Sequence, residues 1–253
     1  MSISFTGGSD RSVNCGSSAS IDNIFVSGGS ITCWIYPTGW GEGGFGRILN
    51  KTEDGVGDNG WAFFVTEISS GFGNASSFTF NHTASPGLNN QITAAAPTST
   101  ISLNAWHHCA VTFDKDNINN TPILYHNGLS VTVSTLDSPS GSYDSDAASS
   151  LVLGARGVLV IDREFTGSIE DVRMYDRILN PAEILTIYNS RGIDNILSGL
   201  VTRWPLIREA VGTVASGAGS VFDISGNNVH ATPVGSPTYA ESIVRLVRRL
   251  ING

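Results

Sequence analysis

Asp223, Ser225 and Asn227 stand at alternate positions in VFDISGNNVH. That spacing puts three oxygen-bearing side chains where a tight loop could surround a hard cation such as calcium. The same residues also make sense without a metal, because an Asp opening a Ser-Gly-Asn turn closes an Asx-turn on its own backbone. Both readings stand. Acid–base chemistry is less well served. Cleaving a glycosidic bond takes two carboxyl groups about 5–9 Å apart across a cleft, whereas Glu170 and Asp171 are adjacent and on a regular strand point to opposite faces. Ser, His and Asp are all present, but no G-x-S-x-G elbow frames a serine. His107 and His108 are consecutive in AWHHCAVTF, and both read as hydrogen-bonded structural histidines, not as ligands or bases. The residues predict no enzyme.

Trp40, in TGWGEGGFG, is the aromatic best placed for a ligand, since its glycine-rich setting offers little to bury an indole. It would stack on a sugar ring or fill a pocket on a neighbouring subunit. In the terminal ESIVRLVRRLING, Ile243, Leu246, Val247 and Leu250 fall at i, i+3, i+4 and i+7, with Arg245, Arg248 and Arg249 off that stripe. This is the pattern of a short amphipathic helix that needs a surface to dock on, and its arginines are candidate partner contacts. A disordered end is the plainer alternative.

The elements that would position these residues are strands. Ile31, Cys33 and Ile35 alternate with Thr32, Trp34 and Tyr36; Trp61, Phe63 and Val65 alternate with Ala62, Phe64 and Thr66; Phe78, Phe80 and His82 share a face, as do His107, Cys109, Val111 and Phe113. Such period-two runs, cut by Gly, Pro, Asn and Ser clusters, predict two packed antiparallel sheets. Asn127-Gly128 predicts a type I′ hairpin over 122–134. One short helix is expected near 180–191, with Asn180 as N-cap, Pro181 at the first position, Glu183 completing a capping box and Gly192 stopping it. The fold class is all-β.

Composition narrows the setting. Charged residues make up 14% of the chain, against ~25% in an ordinary soluble domain, and only Lys51 and Lys115 are lysines. Short neutral polar side chains suit a secreted domain or a packed coat. Net charge is −8; the last 14 residues carry three Arg against Glu241, a local +2, so the remainder sums to about −10. A phosphate backbone is a poor partner for such a body, so no nucleic acid is expected. No apolar run approaches 18 residues, and the first residues lack a leader's basic and apolar regions, so neither a membrane span nor a signal peptide is expected. Cys15, Cys33 and Cys109 form an odd set in apolar surroundings and read as buried free thiols.

Three blocks resemble the LamG-like (concanavalin A-like) jelly rolls. The opening SISFTGGSDRSVNCGSSASID with GSITCWIYPTG resembles their first strands. LNAWHHCAVTFD with ILYHNGLSV is similar to their Trp-His-His strand and hairpin, and FTGSIEDVRMYDRILNPAEILTIYNSRG to their closing strand and helix. Together they cover roughly 3–192. Residues 199–239 resemble the strand and loop that usually come first, here placed last. The resemblance implies one β-sandwich over 1–239, with core 3–192 completed by 199–239, and a short basic tail at 240–253. Residues 199–206 are expected beside the 165–176 strand, in the same sandwich or exchanged with a neighbour's. It also implies a structural calcium ion as cofactor, with Asp171 and Asp10 as further ligands beside Asp223, Ser225 and Asn227. Retaining glycosidases of this fold carry an E-x-D-x-E strand, which is absent here.

Two functions follow. The first is a non-enzymatic virion structural or decoration protein, of a phage, made in the host cytoplasm and acting through contacts with itself as a homo-oligomer or with other virion subunits. The alternative is a calcium-assisted carbohydrate-binding module of an extracellular system, with a glycan as partner. Laminin-type adhesion is a third reading.

Overall fold

Alternating apolar residues define the inside of the molecule, and the computed structural model describes residues 2–6, 10–52, 59–85, 90–157, 162–206 and 209–242. One sheet contains β1 (Ser2–Phe5), β3 (Gly29–Pro37), β8 (His107–Phe113), β9 (Ile123–His126), β10 (Leu129–Ser130), β14 (Gly167–Tyr175), β15 (Leu200–Trp204) and β17 (Thr238–Ala240). The other contains β2 (Ser12–Gly16), β4 (Arg47–Thr52), β5 (Gly60–Thr66), β6 (Ser77–Ser85), β7 (Gln91–Ala95), β11 (Ser134–Asp137), β12 (Ser142–Tyr143), β13 (Leu151–Leu153) and β16 (Thr232–Val234). The strand orders are β10-β9-β8-β3-β14-β1-β17, with β15 against β14, and β11-β7-β6-β5-β4-β13-β2-β16, with β12 against β6. The two sheets form an antiparallel β-sandwich.

Between them lie Ile31, Cys33 and Ile35 of β3, Cys109, Val111 and Phe113 of β8, Trp61, Phe63 and Val65 of β5, and Phe78 and Phe80 of β6. Phe25, from the turn before β3, meets Trp61, Phe80 and Phe113 edge-on or tilted at centroid distances of 5.5, 5.1 and 5.8 Å. Each such ring contributes about 1.5–3 kcal/mol by leaving water. The three cysteines are free and buried, and burial pushes their thiols up.

The outer face of the first sheet is covered by α1 (Pro181–Ser190), whose Ile184 and Ile187 pack on Ala110, Tyr125, Tyr175 and Leu179. Asn180 and Glu183 form the expected capping box, and the helix ends on Arg191 at φ 48°, one residue before Gly192. Asn127 and Gly128 both take positive φ (50° and 83°), as a type I′ turn demands. A Cβ on Gly128 would lie 2.9 Å from Leu185 and 3.0 Å from Tyr188, so this glycine also lets the hairpin close on α1.

Residues 200–206 and 209–242 serve both sheets. β15 pairs with β14 (Val172↔Trp204, Met174↔Thr202), β16 with β2 and β17 with β1. Trp204 is fully buried and donates Nε1–H to the Val229 carbonyl at 2.7 Å.

One strand departs from regularity. Against β3, β14 shifts register between Glu170 and Arg173, and Asp171 sits at φ 48°. Ile169, Val172 and Met174 all reach the core, so the extra residue of this bulge falls at 170–171. The expected opposition of Glu170 and Asp171 is therefore wrong. The bulge turns the Asp171 carboxylate towards Arg173, whose side chain lies on the face away from the core.

Candidate binding groove

The loop after β15 gathers Asp223, Ser225 and Asn227, but around backbone donors. Asp223 Oδ1 accepts from the N–H groups of Arg203 and Ser225, both at 2.9 Å, and Oδ2 from Ser225 Oγ at 2.8 Å and Val229 N at 3.0 Å. Asn227 donates its amide to the Val201 carbonyl at 2.7 Å. Burial opposes ionisation of Asp223, yet these donors outweigh it and hold the carboxyl below its ordinary range. A carboxylate has about four lone-pair sites, and all four are engaged here. Calcium asks for 6–8 oxygen ligands, so these residues do not fit it. The loop is a clasp that ties the C-terminal segment to β15.

Asp171 does not fit a cation either. It accepts from Arg173 Nη2 at 2.6 Å and Arg203 Nε at 2.7 Å, while Arg173 also meets Asp194 at 2.7 Å. Burial raises the Asp171 pKa, but the two guanidinium groups reverse this and lower it. Asp10 is exposed at φ 54°, and its carbonyl is backed by Gly235. Among the described residues no three His, Cys, Asp or Glu side chains gather as a metal site. Trp40, expected at the surface, is half-buried and packs on the main core. Arg245, Arg248 and Arg249 lie outside the described residues.

The two consecutive histidines differ in satisfaction. His107 Nδ1 lies 2.9 Å from His126 Nε2, and its Nε2 lies 2.9 Å from the Ser102 carbonyl, nearer than to Ser102 Oγ at 3.3 Å. That geometry fixes a ring; it does not activate the serine. His108 was expected to be hydrogen-bonded, yet both its ring nitrogens are buried without a partner, between Trp34 (5.2 Å) and Tyr188 (5.9 Å). Burial, helped by Arg173, lowers its pKa to about 3.

The feature that sequence reasoning missed lies on the outer face of the second sheet. An open groove of about 410 Å³ is floored by Arg47 and Thr52 of β4, Ala62 and Phe64 of β5, Asn81 and Thr83 of β6, and Gln91 of β7. Two Gly-Phe-Gly loops wall it. Phe45 and Phe72 meet edge-on at 6.2 Å, and Phe45 lies 6.4 Å from Phe64. The Arg47 guanidinium sits over the Phe64 ring at 4.1 Å and that of Arg163 over Phe45 at 5.2 Å. Arg156 closes the rim, held bidentately by Asp162. Asn81 Oδ1 accepts from the Ala62 N–H at 3.1 Å, while Asn81 Nδ2 and Gln91 Oε1 are 3.4 Å apart, a long contact that leaves the Asn81 NH2 and the Gln91 amide able to serve a ligand. The signal was present in the sequence: the Gly-Phe-Gly tripeptides at 44–46 and 71–73, and Phe64 on the outward set of β5.

A two-sheet antiparallel sandwich with an open groove of rings, amides and guanidinium groups on one outer face is a lectin-type β-sandwich. The chain belongs to the concanavalin A-like lectin/glucanases superfamily: the Laminin_G_3 family model matches residues 7–185, more than two thirds of its length. Among solved structures it is similar to a protein from Bacteroides ovatus described as a carbohydrate binding protein. The TM-score is 0.64 at 17% identity, over 94% of this chain and 59% of that one. This chain thus spans less than two thirds of that protein. It is also similar to the heptameric SAP-like pentraxin from Limulus polyphemus, with a TM-score of 0.51 at 15% identity, over 76% of this chain and 83% of that one. A comparison with curated proteins found no match. Among the described residues no helix is long and apolar enough to cross a membrane.

Proposed function

We propose that the chain is a non-enzymatic carbohydrate-binding module, working in an extracellular setting, that holds a glycan in the groove across β4–β7. One observation carries this reading: Phe72, 48% exposed, stands with Phe45 above a floor that offers the Asn81 Nδ2 and Gln91 side-chain amides. Aromatic rings suit the apolar faces of sugar rings, and planar amides suit paired hydroxyls. The kinship with the Bacteroides ovatus protein supports the reading at the level of fold alone. The groove lining contains no carboxylate among the described residues, which leaves glycosidic cleavage without its acid and base.

The test is calorimetric titration with a panel of oligosaccharides, followed by chromatography of each bound sugar. Saturable binding that weakens several-fold in Phe72→Ala and Gln91→Ala, with the sugar recovered intact, supports the proposal. New reducing ends would refute the non-enzymatic part, and a panel without binding would refute the whole.

The assembly reading, with virion subunits as partners, keeps one specific support. Pro205, Leu206, Val221, Phe222, Ile224 and Tyr239 line an apolar hollow of about 300 Å³, with Phe222 and Ile224 exposed. Such a patch suits a subunit contact. Light scattering that shows an oligomer at micromolar concentration would favour it.

A further inference from the structure

The groove is locally basic among the described residues. Three of the chain's fourteen Lys and Arg residues line it, in a protein of net charge −8, and no carboxylate lines it among the described residues. Two acids at the rim are engaged. Asp162 is held by Arg156, and Glu42 Oε2 accepts the backbone N–H of Arg163 at 2.7 Å. Arg163 is half-buried, its guanidinium lies over the Phe45 ring, and no ion-pair partner meets it among the described residues.

A guanidinium placed over a ring face still has N–H groups to give a ligand, and these match a carboxylate or sulfate bidentately. Neutral sugars need no such group. Building on the carbohydrate reading above, we propose that the groove selects an acidic glycan: a sugar ring bearing a carboxylate or sulfate that Arg163 receives while Phe72 and Phe45 take the ring's apolar face.

The experiment uses the whole chain and three probes: an oligogalacturonide, its methyl ester and a sulfated galactose oligomer. Titrations are run on wild type, Arg163→Gln and Arg191→Gln, the last removing an equal charge beside Trp34 on the opposite sheet. The expected result is that acid or sulfate binds at least about tenfold more tightly than the ester. That preference falls towards one in Arg163→Gln, persists in Arg191→Gln and shrinks in high salt. The better of the two charged probes identifies the anion. Equal binding of ester and charged probes overturns the acidic selection and leaves the carbohydrate reading intact. A preference undiminished in Arg163→Gln overturns the assignment to this arginine. Absence of binding by all three overturns both.

Discussion

Replacing His108 by Phe should remove a defined part of the protein's acid sensitivity. His108 is fully buried on β8 beneath α1, and its pKa is lowered to about 3 by burial first and Arg173 second. His82 is likewise buried and lowered to about 3, by burial and then by Lys115. In the unfolded chain both rings titrate near 6.5. Their neutrality therefore contributes stability that is complete above pH 6.5 and is lost as the pH falls from 6.5 towards 3, because the unfolded state binds the extra protons. Between pH 7 and 5 each ring costs roughly 2 kcal/mol, at ~1.4 kcal/mol per decade, and the two together roughly 4. His107 and His126, also lowered, act in the same direction. Asp146 acts oppositely: burial raises its pKa above 3.8, so the folded chain gains stability as the pH falls through the raised value.

Urea denaturation, followed by tryptophan fluorescence at pH 7, 6 and 5, reads all of this in wild type. In His108→Phe the loss from pH 7 to 5 should shrink by roughly 2 kcal/mol, since the other groups remain and cancel in the difference. At pH 7 the variant should be at least as stable as wild type, because two buried, unpartnered nitrogens are removed and the ring still fills the space between Trp34 and Tyr188. An unchanged pH dependence in the variant would refute the reasoning.

Further outcomes follow from the charge network and the clasp. Asp171→Ala strips two guanidinium groups of a shared partner and should cost about 3–5 kcal/mol, seen as a melting temperature lower by about 10 °C. Because the Asp171 and Asp194 carboxyls sit below their ordinary range, the stability they supply should be present above pH 3.8 and lost below it. Asp223→Ala, which removes four accepted hydrogen bonds, should destabilise by about 2–4 kcal/mol. Chelator or added calcium should move the wild-type melting temperature by less than about 1 °C, and a calcium-dependent rise of several degrees would contradict the clasp.

Much of this fold was legible from local pattern. The alternation in β3, β5, β6 and β8 sorted their residues onto the two faces that the structure shows, and Asn127-Gly128 and the Asn180/Glu183 box marked the hairpin and helix by backbone chemistry. What escaped is non-local. The bulge at Asp171 breaks the two-residue period inside an apolar strand, and no turn residue announces it. Trp40 looks free in its glycine-rich stretch, yet those glycines let the chain fold back until the indole reaches the core. Asp223 has a ligand's spacing, but its partners, Arg203 and Val229, come from outside the motif. The groove is assembled from four strands and two distant Gly-Phe-Gly loops, so each member reads alone as an ordinary strand or loop residue.

The central claim is that the face across β4–β7 binds sugar, and calorimetric titration of wild type and Phe72→Ala against one oligosaccharide panel tests it most directly. The account predicts saturable binding to wild type and a several-fold weaker affinity in Phe72→Ala, with an unchanged melting temperature because Phe72 is half-exposed. Binding of equal strength in both proteins, or none in either, would contradict it.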